Sequence, residues 1–219
     1  MAPATEPPFG THALPAPLER LRRLGAGLPP TWAARRVTSL IRRACLFGRA
    51  DPVDVEPFPG QAARLHPRDN LSEKRVFAAP QFWDAAERAA LAAAMAQAEG
   101  PFRFVDAGAN AGLYTLALRA EGAVRGLAIE PDPENLRRLR ANLAASGVGD
   151  EIVVAPVALA DVPGEVRLAE AVANRGEVGL STGDGIAVEA TPLLDVVRAA
   201  GLDRIDALKI DIEGMEESV

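Results

Sequence analysis

The sequence predicts an α/β fold on a doubly wound parallel sheet, and three observations predict it. Short β-type runs and helical segments alternate from Phe102 onward, the helical segments open on cap residues, and a glycine-rich turn joins the first run to its helix. Residues 102–105 read as the first strand, ending in Asp106. Residues 111–120 read as a helix with Leu113, Leu116 and Leu118 available for packing, and 124–129 as a second strand. Asp132 then supplies an N-cap and Pro133 a proline at the first helical position; Leu136, Leu139 and Leu143 share a face before Gly147 ends the helix. A third strand begins at 152–154. Val166 and Leu168, then Ile186 and Val188, alternate as half-buried strands do. Thr191-Pro192 caps a helix running to Gly201, and 205–212 is a strongly apolar strand.

The N-terminal half lacks this rhythm. Residues 1–18, rich in proline, alanine and glycine, read as a mobile, disordered tail. Residues 19–50 read as two helical pieces split at Leu28-Pro29-Pro30. The second opens on Thr31, with Ala33, Val37, Leu40, Ile41 and Ala44 as its apolar stripe and Arg35, Arg36, Arg42 and Arg43 off it. Such a helix either lies on an anionic membrane or packs on the main domain with its arginines in solvent. Five prolines break 51–82 into short strands and turns. Asp84 and Glu87 form a capping-box pattern opening a helix to about Ala98, stopped by Gly100-Pro101. The expected organisation is a tail at 1–18, a helical and hairpin extension at 19–100, and the alternating domain at 101–219.

Composition narrows the classes. With 48% hydrophobic and 25% charged residues the chain reads as soluble and globular. Cys45 is the only cysteine, so an internal disulfide is excluded, and no Cys or His spacing suits a zinc cage. Residues 1–50 carry eight arginines against Glu6 and Glu19, a balance of +6 that leaves −12 for the remainder. The acidic remainder argues against a chain-wide nucleic-acid groove. No apolar run reaches the roughly 18–20 residues of a spanning helix, and the N-terminus has no signal-peptide pattern, so the cytoplasm is the expected location.

The chemistry concentrates where the first strand turns into its helix, at Val105-Asp106-Ala107-Gly108-Ala109-Asn110-Ala111-Gly112. A helix start there is expected to present free N–H groups, and glycines let backbone approach a ligand. The spacing departs from the dinucleotide fingerprint: Asn110 replaces the second glycine and Gly112 falls one residue early, which disfavours a pyrophosphate clamp. Glu130 closes the second strand 22 positions after Gly108, where an acid accepting from ribose hydroxyls is expected, although a solvated strand-end acid or a cap on the next helix is the alternative. A nucleoside is the expected ligand.

The segments 104–112, 129–135 and 208–214, with 157–161 and 191–195 between them, resemble the FkbM family of S-adenosylmethionine-dependent methyltransferases from about Phe102 to the C-terminus. The resemblance implies a class I, Rossmann-like methyltransferase fold, S-adenosylmethionine as cofactor, and O-methylation of a hydroxyl on a sugar or natural product. In that frame Asp106 and Gly108 hold the methionine end, Asn110 and Gly112 complete the loop, and Glu130 takes the ribose. Val157 and Ala158 lie beside adenine with Asp161 nearby. Asp211 is the first choice for a catalytic base or a carboxylate near the sulfonium, with Glu213 and Glu216 in support. Those acids could instead cap the helix near Met215 or gather a hard cation such as magnesium; no metal is assigned. The family's strand order, 3-2-1-4-5-7-6, also implies that strands five to seven are missing from a chain ending five residues after Gly214, a C-terminal truncation that leaves the fourth strand as an edge.

The remaining singular residues have plain readings. His66 is expected in an exposed loop and His12 in the tail. Tyr114 faces either the sheet or the cofactor, Trp32 and Trp83 anchor the N-terminal layer, and Cys45 is a small buried hydrophobe. The competing functions are a nicotinamide-dependent oxidoreductase and a non-catalytic interaction module contacting a membrane through residues 31–49.

Overall fold

The computed structural model describes residues 6–169 and 185–212. Helices α1 (Ala16–Ala26) and α2 (Trp32–Leu46) flank the double-proline break, and the Thr31 hydroxyl caps α2 by accepting from the Ala34 amide at 3.2 Å. Strands β1 (Val53–Phe58) and β2 (Gln61–Leu65) form an antiparallel hairpin. Helix α3 (Leu71–Ala78), a 3-10 turn at Pro80–Phe82 and helix α4 (Ala85–Met95) complete the N-terminal layer.

The alternating half follows as β3 (Phe102–Ala107), α5 (Leu113–Glu121), β4 (Val124–Ile129), α6 (Pro133–Ala145) and β5 (Ile152–Ala155). Strands β6 (Ala158–Leu159), β7 (Gly164–Leu168) and β8 (Ile186–Thr191) make a small mixed sheet of order β6-β8-β7. Helix α7 (Leu193–Ala199) then leads into β9 (Ala207–Ile210), which pairs with β3. The main sheet is parallel in the order β5-β4-β3-β9, which is the 3-2-1-4 half of the expected topology. Strand alternation divides the two cores. Phe102 and Phe104 of β3 join Leu116 of α5 and Leu139 and Leu143 of α6 on one face; Val105 and Ala107 join Leu127, Ile129, Val196 and Val197 on the other. Because the chain leaves β3 toward β4 on one side and β9 returns on the other, the carboxyl end of β3 is a topological switch point, where open α/β sheets bind ligands.

The same core continues through Leu65, Phe77 and Trp83 of the N-terminal layer, which covers α5 and α6. Polar joints fix the docking. The Asn142 side chain, fully buried on α6, accepts from the Arg64 amide at 2.7 Å and donates to the Ala111 carbonyl at 2.9 Å. Arg138 reaches from α6 to Asp69 at 2.8 Å and to the fully buried Glu73 at 3.3 Å.

Several expectations are corrected. Residues 6–15 are strapped to the hairpin rather than loose: the Gly10 and His12 amides donate to the Asp54 carboxylate at 2.8 and 3.0 Å, and Leu14 is buried. The inward face of α2 is Ala34, Thr38, Ile41 and Cys45; Val37 and Leu40, expected in the packed stripe, fall on a second stripe of helical period that faces solvent. Helix α3 was not anticipated within 51–82. His66 is buried, its amide donating to Glu73 at 2.6 Å. Asp84 occupies the N-cap position of α4 without capping it.

Removing Arg138 strips the charge partner of a buried carboxylate, a change that typically costs about 3–5 kcal/mol. Arg138→Met is therefore expected to lower urea-unfolding stability by about that amount, whereas Glu134→Ala, on the exposed side of the same cluster, costs about 1 kcal/mol or less. Equal small losses in the two variants contradict this joint.

Candidate functional site

The carboxyl ends of β3, β4 and β9 border a cleft of about 970 Å³, its open mouth included. Gly108, Asn110, Glu130, Ala158 and Asp211 line it together with Val157, Leu159 and Lys209; the N-terminal layer adds Ser72, Trp83 and Asp84.

The turn after β3 is held in the left-handed region at Gly108, Asn110 and Gly112, with φ of +77°, +51° and +83°. Gly108 has a second reason to be glycine: a Cβ there would lie 1.9 Å from the Asp211 carbonyl oxygen, since the chain leaving β9 crosses directly over the turn. A Cβ at Gly112 would meet only the Leu139 side chain, at 2.7 Å.

The amides of the turn are all engaged within the protein. Gly108 and Ala109 donate to the Ile129 carbonyl at 3.0 and 2.9 Å, and Gly112 donates to the Ala109 carbonyl at 2.8 Å. The Asn110 amide donates to Glu130 Oε2 at 2.7 Å, and that of Ala111 to Asn110 Oδ1 at 2.7 Å. The expectation of free N–H groups from Gly108 to Gly112 is thereby corrected. An anion has no donor to recruit along this stretch, so the turn is shaped for close approach instead of charge capture.

Glu130 stands on the same side of the sheet as the turn, 5% exposed, with Oε1 accepting from the Asp132 amide at 2.9 Å. Burial pushes its carboxyl up to about 7, the two amide bonds offsetting only part of that. The next residues form the helix start: Asp132 Oδ1 accepts from the Glu134 and Asn135 amides, as its N-cap pattern predicts.

Asp106 lies beneath the turn and does not line the cleft. It is 1% exposed, with Oδ2 accepting from Thr115 at 3.3 Å and Oδ1 3.3 Å from Lys209 Nζ. Burial raises its pKa against the pull of Lys209 and Thr115. Lys209 sits beside Asp106 in the parallel register and donates to the Gly108 carbonyl at 2.7 Å, which links the buried carboxylate to the turn. Asp211, its side chain 66% exposed at the mouth, is 3.7 Å from the same ammonium. Asp161 is exposed away from the cleft wall, while Glu213 and Glu216 lie outside the described residues. Among the described residues no three His, Cys, Asp or Glu side chains converge as a metal cage requires.

Lys209, Trp83 and Asp84 line the cleft without having been singled out from the sequence as its functional groups, and Tyr114, expected to face either the sheet or the cofactor, lines it with them. Lys209 stands 5.3 Å above the Tyr114 ring, and the Trp83 ring packs on Tyr114 at 4.8 Å. The Tyr114 hydroxyl donates to Asp84 Oδ2 at 2.8 Å; burial and that carboxylate hold the phenol well above its ordinary pKa. Asp84 adopts φ +42°, a conformation that strains a non-glycine residue by roughly 1–2 kcal/mol, and its side chain serves the cleft instead of its helix. Two signals in the sequence mark Lys209: lysine is rare, two against 22 arginines, and the residue lies within the 208–214 segment.

The sequence profile of the methyltransferase FkbM domain matches residues 106–219. Among solved structures, the chain is similar to the methyltransferase FkbM from Methylobacillus flagellatus KT, at 18% identity over 85% of this chain and 44% of that one, with a TM-score of 0.39. It is also similar to a SAM-dependent methyltransferase from Agrobacterium tumefaciens, at 14% identity over 50% of this chain and 33% of that one, with a TM-score of 0.36. The chain thus spans less than half the length of either structure. No curated protein matches it.

The two glycines of the turn separate backbone strain from steric exclusion. Gly112→Ala is expected to cost about 1–2 kcal/mol, the left-handed strain alone, because the Leu139 side chain can yield. Gly108→Ala is expected to cost about 3–5 kcal/mol, since backbone must move. Denaturant unfolding that gives the two variants equal losses contradicts the crossing of β9 over the turn.

Proposed function

The chain belongs to the FkbM methyltransferase family, and on that premise we propose that the cleft binds S-adenosylmethionine and serves O-methylation of a small acceptor, a hydroxyl of a sugar or natural product. The observation carrying this reading is the apposition of Glu130 to a turn whose amides are spent. S-adenosylmethionine has a ribose but no phosphate, so it needs a carboxylate for its hydroxyls and no amide cradle. A nicotinamide dinucleotide, the competing ligand, needs donors for its pyrophosphate that residues 108–112 do not offer.

A carboxylate has about four acceptor sites, and two on Glu130 are occupied by the Asn110 and Asp132 amides, leaving room for two ribose hydroxyls. Val157, Ala158 and Leu159 would give an apolar wall for adenine, and the side-chain-free Gly108 would border the methionine end. Bound S-adenosylmethionine supplies an electrophilic methyl group on a sulfonium. The protein's share is to hold the acceptor oxygen in line with it, which contributes roughly 7–11 kcal/mol in well-oriented reactions. Asp211, exposed at the cleft mouth, is assigned as the group that takes the hydroxyl proton as the carbon–oxygen bond forms, with Glu213 in support; such a base contributes roughly 10²–10⁴-fold.

Affinity for S-adenosylmethionine is expected to weaken as pH falls. Hydroxyls donated to Glu130 favour its carboxylate, so the complex has the lower pKa and protonation competes with binding below the free value of about 7. Calorimetric titration of the full chain between pH 8 and 5.5 should show a constant Kd above about 7.5 and a rise of up to about tenfold per pH unit below 7. Glu130→Ala should bind at least about tenfold more weakly, without that slope. Wild-type affinity in Glu130→Ala, or a wild-type Kd indifferent to pH, overturns the reading.

A further inference from the structure

We propose that the groove between α2 and the α3–α4 junction is a second binding site, taking the anionic part of the methyl acceptor: a phosphate or diphosphate ester whose neutral end enters the cleft past Asp84. The word acceptor rests on the methyl-transfer reading above; the capacity for a multiply charged anion rests on the groove alone.

The groove holds about 1,500 Å³ with its open side included, and five arginines line it: Arg35, Arg36, Arg42, Arg43 and Arg75. Elsewhere in the molecule buried arginines are matched by carboxylates, as Arg22 is by Glu19, Arg64 by Asp54 and Arg138 by Asp69. Among the described residues no carboxylate lies within ion-pair distance of the five. Arg35, Arg36, Arg43 and Arg75 are exposed and Arg42 is half-buried, so solvent screens their mutual repulsion, and a multiply charged anion entering the groove meets several of them at once.

Two of the guanidinium groups are already oriented. Arg35 stacks over the Phe82 ring at 4.9 Å and Arg36 over Trp32 at 4.7 Å, which leaves their N–H edges available for bidentate contact with phosphate oxygens. Arg42 is partly buried with only the Ser39 hydroxyl at 3.3 Å, and burial holds its pKa below the ordinary arginine value, a penalty that a bound anion relieves. The lining includes buried Thr38, Ala79 and Trp83, so the surface is concave and suited to a molecule that enters.

The position of the groove connects it to the cleft. Trp83 and Asp84 line both hollows, and Asp84 is the one acid among the groove's lining residues. An acceptor laid along the groove has its charge among the arginines and its neutral end where Asp84 is bonded to Tyr114. The left-handed backbone of Asp84 holds the carboxylate at that junction.

Trp32, 72% exposed in the groove and one of only two tryptophans, is a built-in reporter. Inorganic pyrophosphate titrated at constant ionic strength into the full chain is expected to give a saturable fluorescence change. The variant R36Q/R43Q/R75Q, all at exposed positions, should bind pyrophosphate at least about tenfold more weakly, a loss of 1.4 kcal/mol or more. R43Q/R75Q should fall between, and R125Q/R140Q, exposed on other elements, should match wild type. Thermal melts of each variant confirm folding, and calorimetry should show S-adenosylmethionine affinity unchanged in all of them. Absence of saturable binding, or an equal loss in the R125Q/R140Q control, overturns the proposal. Binding to phosphatidylglycerol vesicles without saturable pyrophosphate binding also overturns it, assigning the arginines to a membrane surface. If wild type fails to bind S-adenosylmethionine, the methyl-transfer reading falls while the pyrophosphate titration still judges the groove.

Discussion

A buried carboxylate bonded to a backbone amide organises this molecule's candidate site. Glu130 ends β4, and its Oε2 accepts from Asn110 in the turn that ends β3. Two adjacent parallel strands are thereby tied at their ligand-facing ends by a group that resists burial in its charged form, as its raised pKa shows. Every other feature of the cleft is consistent with that tie: Asn110 must turn through the left-handed region to aim its amide, and Gly108 must lack a side chain so that β9 can pass. Local strain and desolvation of this kind persist only where surrounding structure over-determines them.

The surrounding structure comes largely from the N-terminal layer. Asn70 caps α3 through its Oδ1 and donates from Nδ2 to the Asn110 side chain at 2.9 Å, so one residue fixes both a helix start and the turn. Asn142 links the hairpin to the Ala111 carbonyl. On the opposite wall Asp84, Tyr114, Lys209 and Asp106 form a continuous chain of contacts from the N-terminal layer to the floor of the turn. The methyltransferase-type sheet and the segment before it therefore share one core and one site. No helix among the described residues is long and apolar enough to cross a membrane.

What the sequence made legible was what local chemistry dictates. The strand and helix alternation, the Thr31 and Asp132 caps, the glycine turn and Glu130 at the second strand's end all follow from short-range pattern and spacing. The misjudged features depend on pairings that spacing does not encode. Asp84 and Glu87 fit a capping box, yet the Tyr114 hydroxyl, 30 residues away, captures the Asp84 carboxylate. The tail is held by Asp54, whose burial nothing in residues 6–15 signals. Lys209 joins the site because β9 pairs with β3 in a register that sets it beside Asp106. For α2, two stripes of helical period coexist, and only packing shows that Ala34, Thr38 and Cys45 face inward.

The account turns on which ligand group meets the carboxylate at the end of β4, and a crystal structure of the full chain with S-adenosylhomocysteine tests it most directly. The expected result places both ribose hydroxyls within hydrogen-bond distance of the Glu130 oxygens, with the Asn110 amide bond retained. A nucleoside seated elsewhere, or one whose ribose faces away from Glu130, contradicts it.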